Sequence, residues 1–174
     1  MKKLLIVVDM QNDFIDGSLG TKEAKEIVPK VVKKISKWDG DIIVTQDTHT
    51  DNYLQTNEGR HLPVEHCIED TEGRRINKDV FFALCESDDP HFCVLNKRTF
   101  GSTALPEVIR GEGYDYIELI GLCTDICVIS NALILKANYP ETTIAVDSSC
   151  CAGATVESHK AALLAMKMCQ IDII

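Results

Sequence analysis

Short apolar runs rich in β-branched residues recur along the chain, and each run ends at a polar residue or a glycine. Residues 4–8 are wholly apolar and stop at Asp9. Runs of this kind are typical of strands that are buried on both faces of a parallel sheet. Four further runs have the same character, at residues 42–44, 92–95, 116–120 and 143–146. The pattern therefore predicts five strands.

Apolar residues at helical spacing lie between these runs, within residues 24–38, 125–137 and 156–168. Their spacing places them on one face of a helix. Because strands and helices alternate, we predict an α/β fold: a three-layer α/β/α sandwich with a mostly parallel, Rossmann-like sheet. The 174 residues fit one domain, and we expect residues 1–174 to form a single domain.

Ligands of such sheets bind beyond the carboxyl ends of the strands, which lie at one edge. The residues that follow the predicted strands are therefore expected on this rim: Asp9, Asp47, Lys97, segment 121–127 and Asp147. A further segment, residues 48–89, is polar and shows little periodicity. A loop of this length in a compact domain is usually functional.

Net charge and composition indicate which classes of partner and which cellular compartment to expect. The formal net charge is −9, with Lys and Arg scattered, whereas nucleic acids and anionic membranes require a basic surface. We therefore expect no nucleic-acid or membrane partner. The apolar run at residues 4–8 is too short for a signal peptide, so the eight cysteines are expected to be reduced, in the cytoplasm.

Cys127 is the candidate nucleophile because it lies where a buried strand meets a tight turn and then a helix. Thr124 or Asp125 can cap that helix, which puts Cys127 in its first turn, where the helix dipole favours a thiolate. The N–H groups of Cys123 and Cys127 would then bind the oxyanion of a tetrahedral intermediate. The alternative is a small buried hydrophobic residue, which we expect for the other seven cysteines.

A cysteine nucleophile also needs a proton acceptor and an orienting charge. Asp9 is the candidate base, and Lys97 is the cation that would hold the Asp9 carboxylate and favour the thiolate. The alternative role of Asp9 is to cap the turn after the first strand. The alternative for Lys97 is a solvated lysine that follows a strand.

A second cluster of polar residues predicts a divalent metal site. Asp47 and His49 follow a predicted strand, and Glu58 and His66 come later in the polar segment. Carboxylate and imidazole ligands suit Zn, and also Fe or Mn. The remaining histidines are expected at the surface or as caps: His61, His91 and His159.

Five motifs, in order along the chain, resemble one known family. They are VVDMQNDF at residues 7–14, DTH at 47–49, LPVEHCI at 62–68, KRTFGSTAL at 97–105 and TDICV at 124–128. They resemble the isochorismatase-like cysteine hydrolases, and within that family they are most similar to nicotinamidases. The resemblance extends from residue 4 to about residue 159.

The resemblance implies amide hydrolysis by a triad of Asp9, Lys97 and Cys127 through a thioester acyl-enzyme. It implies a cis peptide between Leu122 and Cys123 that aims the oxyanion-hole N–H groups. A small-molecule amide, such as nicotinamide, is the implied substrate, and relatives commonly form homo-oligomers.

The resemblance also implies that Asp47, His49 and His66 bind the metal. Many nicotinamidases have a further histidine shortly after the Asp-x-His pair, which this chain lacks, so Glu58 is the candidate fourth ligand. Where an aromatic residue often precedes the Pro-x-His segment, this chain has Leu62 or Pro63. Three residues are candidates for lining the substrate pocket: Phe14, Leu19 and Phe100.

The sequence is also compatible with other functions. One is hydrolysis of another small amide or carbamoyl compound, or of the vinyl ether isochorismate. Another is a phospho-receiver signalling domain, which also has acids after the first strand and a lysine after a late strand. A third is a binding protein with an inactive site.

Overall fold

Six parallel strands form the central sheet in a computed structural model, which describes residues 1–87 and 92–174. The strands are β1 (Lys3–Val8), β2 (Asp41–Asp47), β3 (Cys93–Lys97), β4 (Tyr116–Leu122), β5 (Thr143–Ala152) and β6 (Asp172–Ile173). Each hydrogen-bonded pair is parallel, and the order across the sheet is β3-β2-β1-β4-β5-β6. The five predicted strands are confirmed.

Helices connect the strands. They are α1 (Asn12–Ile15), α2 (Lys22–Ile35), α3 (Asn57–His61), α4 (Lys78–Cys85), α5 (Leu105–Val108), α6 (Ile129–Asn138) and α7 (Val156–Met168), with a 3₁₀ turn at Tyr53–Gln55 and a π-helical turn at Thr124–Val128. The helix α2 begins after Thr21, whose hydroxyl accepts the N–H of Ala24 and so caps the helix.

The sheet separates two apolar clusters, because successive residues of a strand point to opposite faces. Leu5 and Val7 of β1 pack with residues of α1, α2 and α4 on one face. Leu4 and Ile6 pack with residues of α5, α6 and α7 on the other. Burial of β1 on both faces explains its wholly apolar sequence, and the predicted three-layer α/β/α sandwich is confirmed.

The strand order also locates the site and excludes one alternative. The chain progresses from β1 to β2 and β3 on one side, and from β4 to β6 on the other. The order therefore reverses between β1 and β4, where open α/β sheets form a ligand crevice. A phospho-receiver has the order 2-1-3-4-5, which this sheet does not have.

Some expectations from the pattern differ from the structure. Asp147 lies within β5 rather than beyond its end, because the strand continues to Ala152. Its carboxylate pairs with Lys34 of α2 at 2.7 Å, so Asp147 is not on the ligand rim. The two-residue strand β6 has too short an apolar run to be recognised. His91 lies outside the described residues.

Among the described residues, no helix is both long and apolar enough to cross a membrane.

Candidate active site

Asp9 directly follows β1, with its backbone in the left-handed region at a φ of 47°. Its N–H donates to the carbonyl of Thr45 at 3.2 Å, and the Thr45 hydroxyl donates to Oδ1 of Asp9 at 2.7 Å. Both residues are fully buried. Because Thr45 occupies Oδ1, the second carboxylate oxygen of Asp9 is left to face Lys97.

Lys97 ends β3 and brings the predicted triad together. Its Nζ lies 2.6 Å from Oδ2 of Asp9 and 3.4 Å from both Sγ of Cys127 and Oδ1 of Asp47. Burial by itself would lower the pKa of Lys97, but the carboxylates of Asp9 and Asp47 raise it above its usual range. Lys97 is therefore a fixed positive charge rather than a proton acceptor.

Cys127 lies in the π-helical turn that follows β4, and it is almost completely buried. Gly121 allows this turn to approach β1: its φ is 115°, and a Cβ atom there would lie 2.1 Å from the carbonyl oxygen of Val8. The peptide bond between Leu122 and Cys123 is cis, as the resemblance implies.

The resting state of Cys127 differs from the expectation. Its position near a helix start favoured a thiolate, but burial and the nearby Asp9 carboxylate raise the pKa of the Cys127 thiol well above its usual value. Burial also raises the pKa of Asp9, opposed by Lys97. The local helix-end effect is therefore outweighed by desolvation, and the resting thiol is neutral.

Two backbone N–H groups at this turn are the predicted oxyanion donors. Within residues 1–87 and 92–174, neither the N–H of Cys123 nor that of Cys127 donates to a backbone acceptor outside its own helix or strand. The carbonyl of Cys123 instead accepts the N–H groups of Ile126 and Val128, at 3.1 and 3.0 Å. The turn can therefore offer two donors to a developing oxyanion beside the sulfur.

The four predicted metal ligands converge beside the triad. Ligand atoms of Asp47, His49, Glu58 and His66 all lie within 4.8 Å of one another. Nε2 of His49 is 3.1 Å from Oδ2 of Asp47 and 3.6 Å from Oε1 of Glu58. Nε2 of His66 is 3.8 and 3.7 Å from the same two oxygens. Nitrogen and oxygen atoms at this separation suit one small ion with bonds of about 2.0–2.2 Å.

The surroundings of the histidines support this fit. Nδ1 of His66 lies 2.8 Å from the carbonyl oxygen of Val64, which orients the ring and leaves Nε2 to face the cluster. The ring of Tyr53 lies against both imidazoles, with centroid distances of 4.7 Å to His49 and 4.9 Å to His66. The four side chains form a group suited to hold a divalent metal ion.

Comparison with known proteins assigns the family. The family model of the isochorismatase domain matches residues 3–174 of this chain. The chain belongs to the isochorismatase family.

Individual relatives agree with this assignment. An uncharacterized isochorismatase family protein from Bacillus subtilis is 30% identical over 147 residues, 76% of this chain and 78% of its own length. The solved pyrazinamidase/nicotinamidase of Streptococcus mutans is 28% identical, covers 99% of this chain and 100% of its own, and superposes with a TM-score of 0.83. The pyrazinamidase of Pyrococcus horikoshii, solved in complex with zinc, is 26% identical, covers 100% of this chain and 99% of its own, and has a TM-score of 0.81.

In this isochorismatase-family chain, the cysteine and the metal group open into the same cavity of about 1150 Å³. The three residues predicted to line the substrate pocket all line this cavity: Phe14, Leu19 and Phe100. Phe14 is buried, whereas Phe100 is 46% exposed and lies at the mouth.

The sequence motifs did not single out two buried polar residues that hold this site. Thr45 binds the Asp9 carboxylate from β2. Asn131 of α6 bonds to the carbonyl of Cys127. A threonine in an apolar strand and an asparagine in a helix have many ordinary structural roles, so only the three-dimensional contacts reveal these.

Proposed function

We propose that this chain hydrolyses the carboxamide of nicotinamide, or of a related heteroaromatic amide, to the carboxylic acid and ammonia. The observation that carries the proposal is the contact of Lys97 with Asp9, Asp47 and Cys127 in one buried group. That group opens into the cavity shared with the four candidate metal ligands. The matches to nicotinamidases and pyrazinamidases support the same chemistry.

The first half of the reaction is acylation of Cys127. As Sγ attacks the amide carbon, the thiol proton passes to Oδ2 of Asp9, so that a buried neutral thiol becomes a nucleophile only when substrate is present. The N–H groups of Cys123 and Cys127 bind the resulting oxyanion. When the carbon–nitrogen bond breaks, Asp9 gives its proton to the nitrogen and ammonia leaves. The product of this half is a thioester on Cys127.

The second half is hydrolysis of that thioester. Asp9, again a carboxylate, accepts a proton from the attacking water, and the same two N–H groups bind the second oxyanion. The carbon–sulfur bond then breaks, the proton returns to Sγ, and the acid leaves. Lys97 stays protonated throughout and holds Oδ2 of Asp9 in place.

Asp47, His49, Glu58 and His66 are the residues that would hold a divalent metal, and zinc is the ion that we propose. Two imidazoles and two carboxylates suit zinc well, although iron and manganese accept the same donors. When bound, the ion supplies a Lewis acid that anchors a ring nitrogen or carbonyl of the substrate. The predicted cytoplasmic location and homo-oligomeric state stay predictions.

Ammonia release from nicotinamide and from pyrazinamide tests the proposal. The purified chain is expected to turn over at least one of them at about 1 s⁻¹ or faster, with equal amounts of acid and ammonia. Isochorismate serves as the control substrate and is expected to be inert. Turnover of another carbamoyl compound, but of neither nicotinamide nor pyrazinamide, would contradict the proposed substrate class. The proposed amide hydrolysis would still hold.

Removal of one metal ligand is expected to remove both metal and activity. For His66→Ala, we expect loss of bound metal and a decrease in kcat/KM of at least about 100-fold. The measurement is elemental analysis beside the amide assay, and His61→Ala is the control that should retain the metal. Full activity in a protein shown to contain no metal would contradict the catalytic role of the ion.

A further inference from the structure

Asn131 of α6 is fully buried, although asparagine is a residue that is mostly exposed in proteins. Its Nδ2 donates to the carbonyl of Cys127 at 2.8 Å and to the carbonyl of Phe100 at 3.3 Å. Its Oδ1 accepts the N–H of Ser102 at 2.9 Å. Two carbonyls on one side of the amide and an N–H on the other fix its orientation, so both polar atoms of the side chain have partners.

The first of these contacts restrains the nucleophile turn. This turn, Thr124–Val128, is π-helical, a conformation that is frequent at functional sites. Two side chains of α6 bond to its carbonyl groups: Oγ of Ser130 donates to Ile126 at 2.6 Å, and Nδ2 of Asn131 donates to Cys127. The Asn131 contact is made with the peptide group of the nucleophile itself. It therefore restrains the backbone from which Sγ extends.

The other two contacts hold a second part of the site. Phe100 and Ser102 belong to the loop between β3 and α5, residues 98–104, which we call the mouth loop. The mouth loop begins directly after Lys97, and its residues Thr99 and Phe100 line the cavity. Its position therefore affects both the lysine of the triad and the space available to the substrate.

The mouth loop packs directly on α6. Gly101 has no side chain, and a Cβ atom there would lie only 2.6 Å from Cδ1 of Ile134. Across this contact, Asn131 connects the segment that follows Lys97 to the turn that carries Cys127. The two catalytic atoms that these segments carry, Nζ and Sγ, are 3.4 Å apart.

We propose that Asn131 is a positioning residue, which fixes Cys127 relative to the mouth loop and so relative to the bound substrate. This inference rests on the proposed amide hydrolysis and adds a residue to it. The contact with Cys127 aligns Sγ for attack, so its loss lowers kcat. The contacts with the mouth loop hold a wall of the cavity, so their loss raises KM. A displacement of about 1 Å at a reacting group can lower the rate about 100-fold.

Two substitutions separate these contacts. Asn131→Ala removes all three, and we expect it to lower kcat at least about tenfold and to raise KM at least about threefold. Asn131→Ser keeps a hydroxyl that can donate to the carbonyl four residues earlier, as Ser130 does to Ile126, but it has no second polar group for the mouth loop. It is expected to recover most of kcat and to keep the raised KM. Ammonia release from nicotinamide, per molecule folded by circular dichroism, gives both constants.

The matched control is Asn138→Ala, which should keep the wild-type kcat and KM. Asn138 lies on the same helix and likewise donates to the carbonyl four residues earlier, at 2.9 Å to Ile134, but it is exposed. Because a buried asparagine also contributes to stability, the melting temperature of each variant is measured as well.

Three results would overturn the inference. If Asn131→Ala loses stability but keeps the wild-type kcat and KM per folded molecule, its role is structural only. If Asn131→Ser has the same kcat as Asn131→Ala, the loss of rate does not follow the contact with Cys127. If KM stays at the wild-type value in both variants, the contacts with the mouth loop do not act on substrate binding.

Alkylation of Cys127 by iodoacetamide gives a readout that does not require turnover. The thiol is almost completely buried, so a less restrained turn should expose it more often. Mass spectrometry measures the rate at Cys127 relative to the rate at Cys150 and Cys151, which are buried in β5. A general loss of stability exposes all three thiols, whereas the positioning role predicts that Asn131→Ala raises this ratio at least about threefold.

The alkylation ratio also separates the failure of this inference from that of the proposed function. If the wild type hydrolyses no amide, the proposed function fails and the ratio alone decides the positioning role. Equal ratios in Asn131→Ala and Asn138→Ala then overturn it, and a higher ratio in Asn131→Ala supports it. If the wild type hydrolyses nicotinamide and the two variants have equal ratios and equal kcat, the proposed function holds and the inference fails.

Discussion

Replacement of Cys127 with alanine is expected to lower kcat for amide hydrolysis by at least about 10⁴-fold. Without Sγ no thioester can form, and the remaining groups can only bind the amide. The oxyanion donors are backbone N–H groups and Lys97 keeps its charge, so binding should persist while turnover stops. The measurement is ammonia release, together with calorimetric binding of the acid product.

The control is Cys150→Ala. Cys150 is also buried, at 3% exposed, but it lies in β5 and does not line the cavity. This variant is expected to lose some stability from the removed side chain but to keep kcat per folded molecule. Mass spectrometry of the wild type after rapid acid quenching should detect the acyl group on the peptide that contains Cys127. Comparable rates of ammonia release by Cys127→Ala and the wild type would exclude Cys127 as the nucleophile.

Replacement of Asp9 with asparagine is expected to lower kcat by about 10²–10⁴-fold. The amide has nearly the same shape as the carboxylate but cannot take the thiol proton, and the pKa of the buried Cys127 thiol is already well above its usual value. The substitution also removes the negative charge of the Asp9 carboxylate, whose Oδ2 lies 2.6 Å from Nζ of Lys97 in the wild type. The measurement is single-turnover acylation as a function of pH.

Asp147→Asn provides a matched control for that change. Asp147 is likewise a buried aspartate paired with a lysine, Lys34, at 2.7 Å, but it lies within β5 away from the cavity. Loss of this ion pair is expected to lower stability and to leave kcat per folded molecule unchanged. If the two variants lose activity equally, Asp9 acts by holding the fold rather than as a base.

The direction of the Asp9 pKa also predicts a pH dependence. Burial raises the pKa of Asp9 above that of an ordinary aspartate, about 4. The base must be ionised to act, so kcat/KM falls as the pH falls through that raised pKa. The acid limb of the profile is therefore expected to have its midpoint above about pH 4. A pH series on the wild type measures it, and a midpoint below that of a free aspartate would contradict the assignment.

The positions of Asp9, Lys97 and Cys127 at one edge of the sheet could be predicted because the hydrophobic pattern shows where each strand ends. Asp9 and Lys97 each lie at the carboxyl end of a short apolar run, and Cys127 lies just past another. Parallel strands bring such ends to one edge, so their proximity follows from the pattern alone. Asp147 also follows a short apolar run, but the prediction that it lies on the ligand rim is wrong. The strand continues past it to Ala152, and its carboxylate pairs with Lys34 of α2.

What the pattern could not predict depends on contacts between separate elements. Thr45 lies in an apolar strand, and its role arises only because β2 pairs with β1 and brings its hydroxyl to Asp9. The helix-end rule predicted a thiolate at Cys127, but the depth of burial, which opposes it, is a property of the whole fold. The cavity volume likewise depends on several separate segments that no single motif describes.

Asp47 has one carboxylate oxygen toward each half of the site. Oδ1 lies 3.4 Å from the ammonium of Lys97, and Oδ2 lies 3.1 Å from Nε2 of His49. A substitution at Asp47 therefore alters two parts of the enzyme at once, and its effect on rate is not a measure of the metal alone. A change at Asp47 would remove a candidate metal ligand and a contact of Lys97 together. A change at His49 or His66, neither of which is paired with Lys97 in the described part of the chain, would remove a candidate metal ligand and leave the contacts of Lys97 in place.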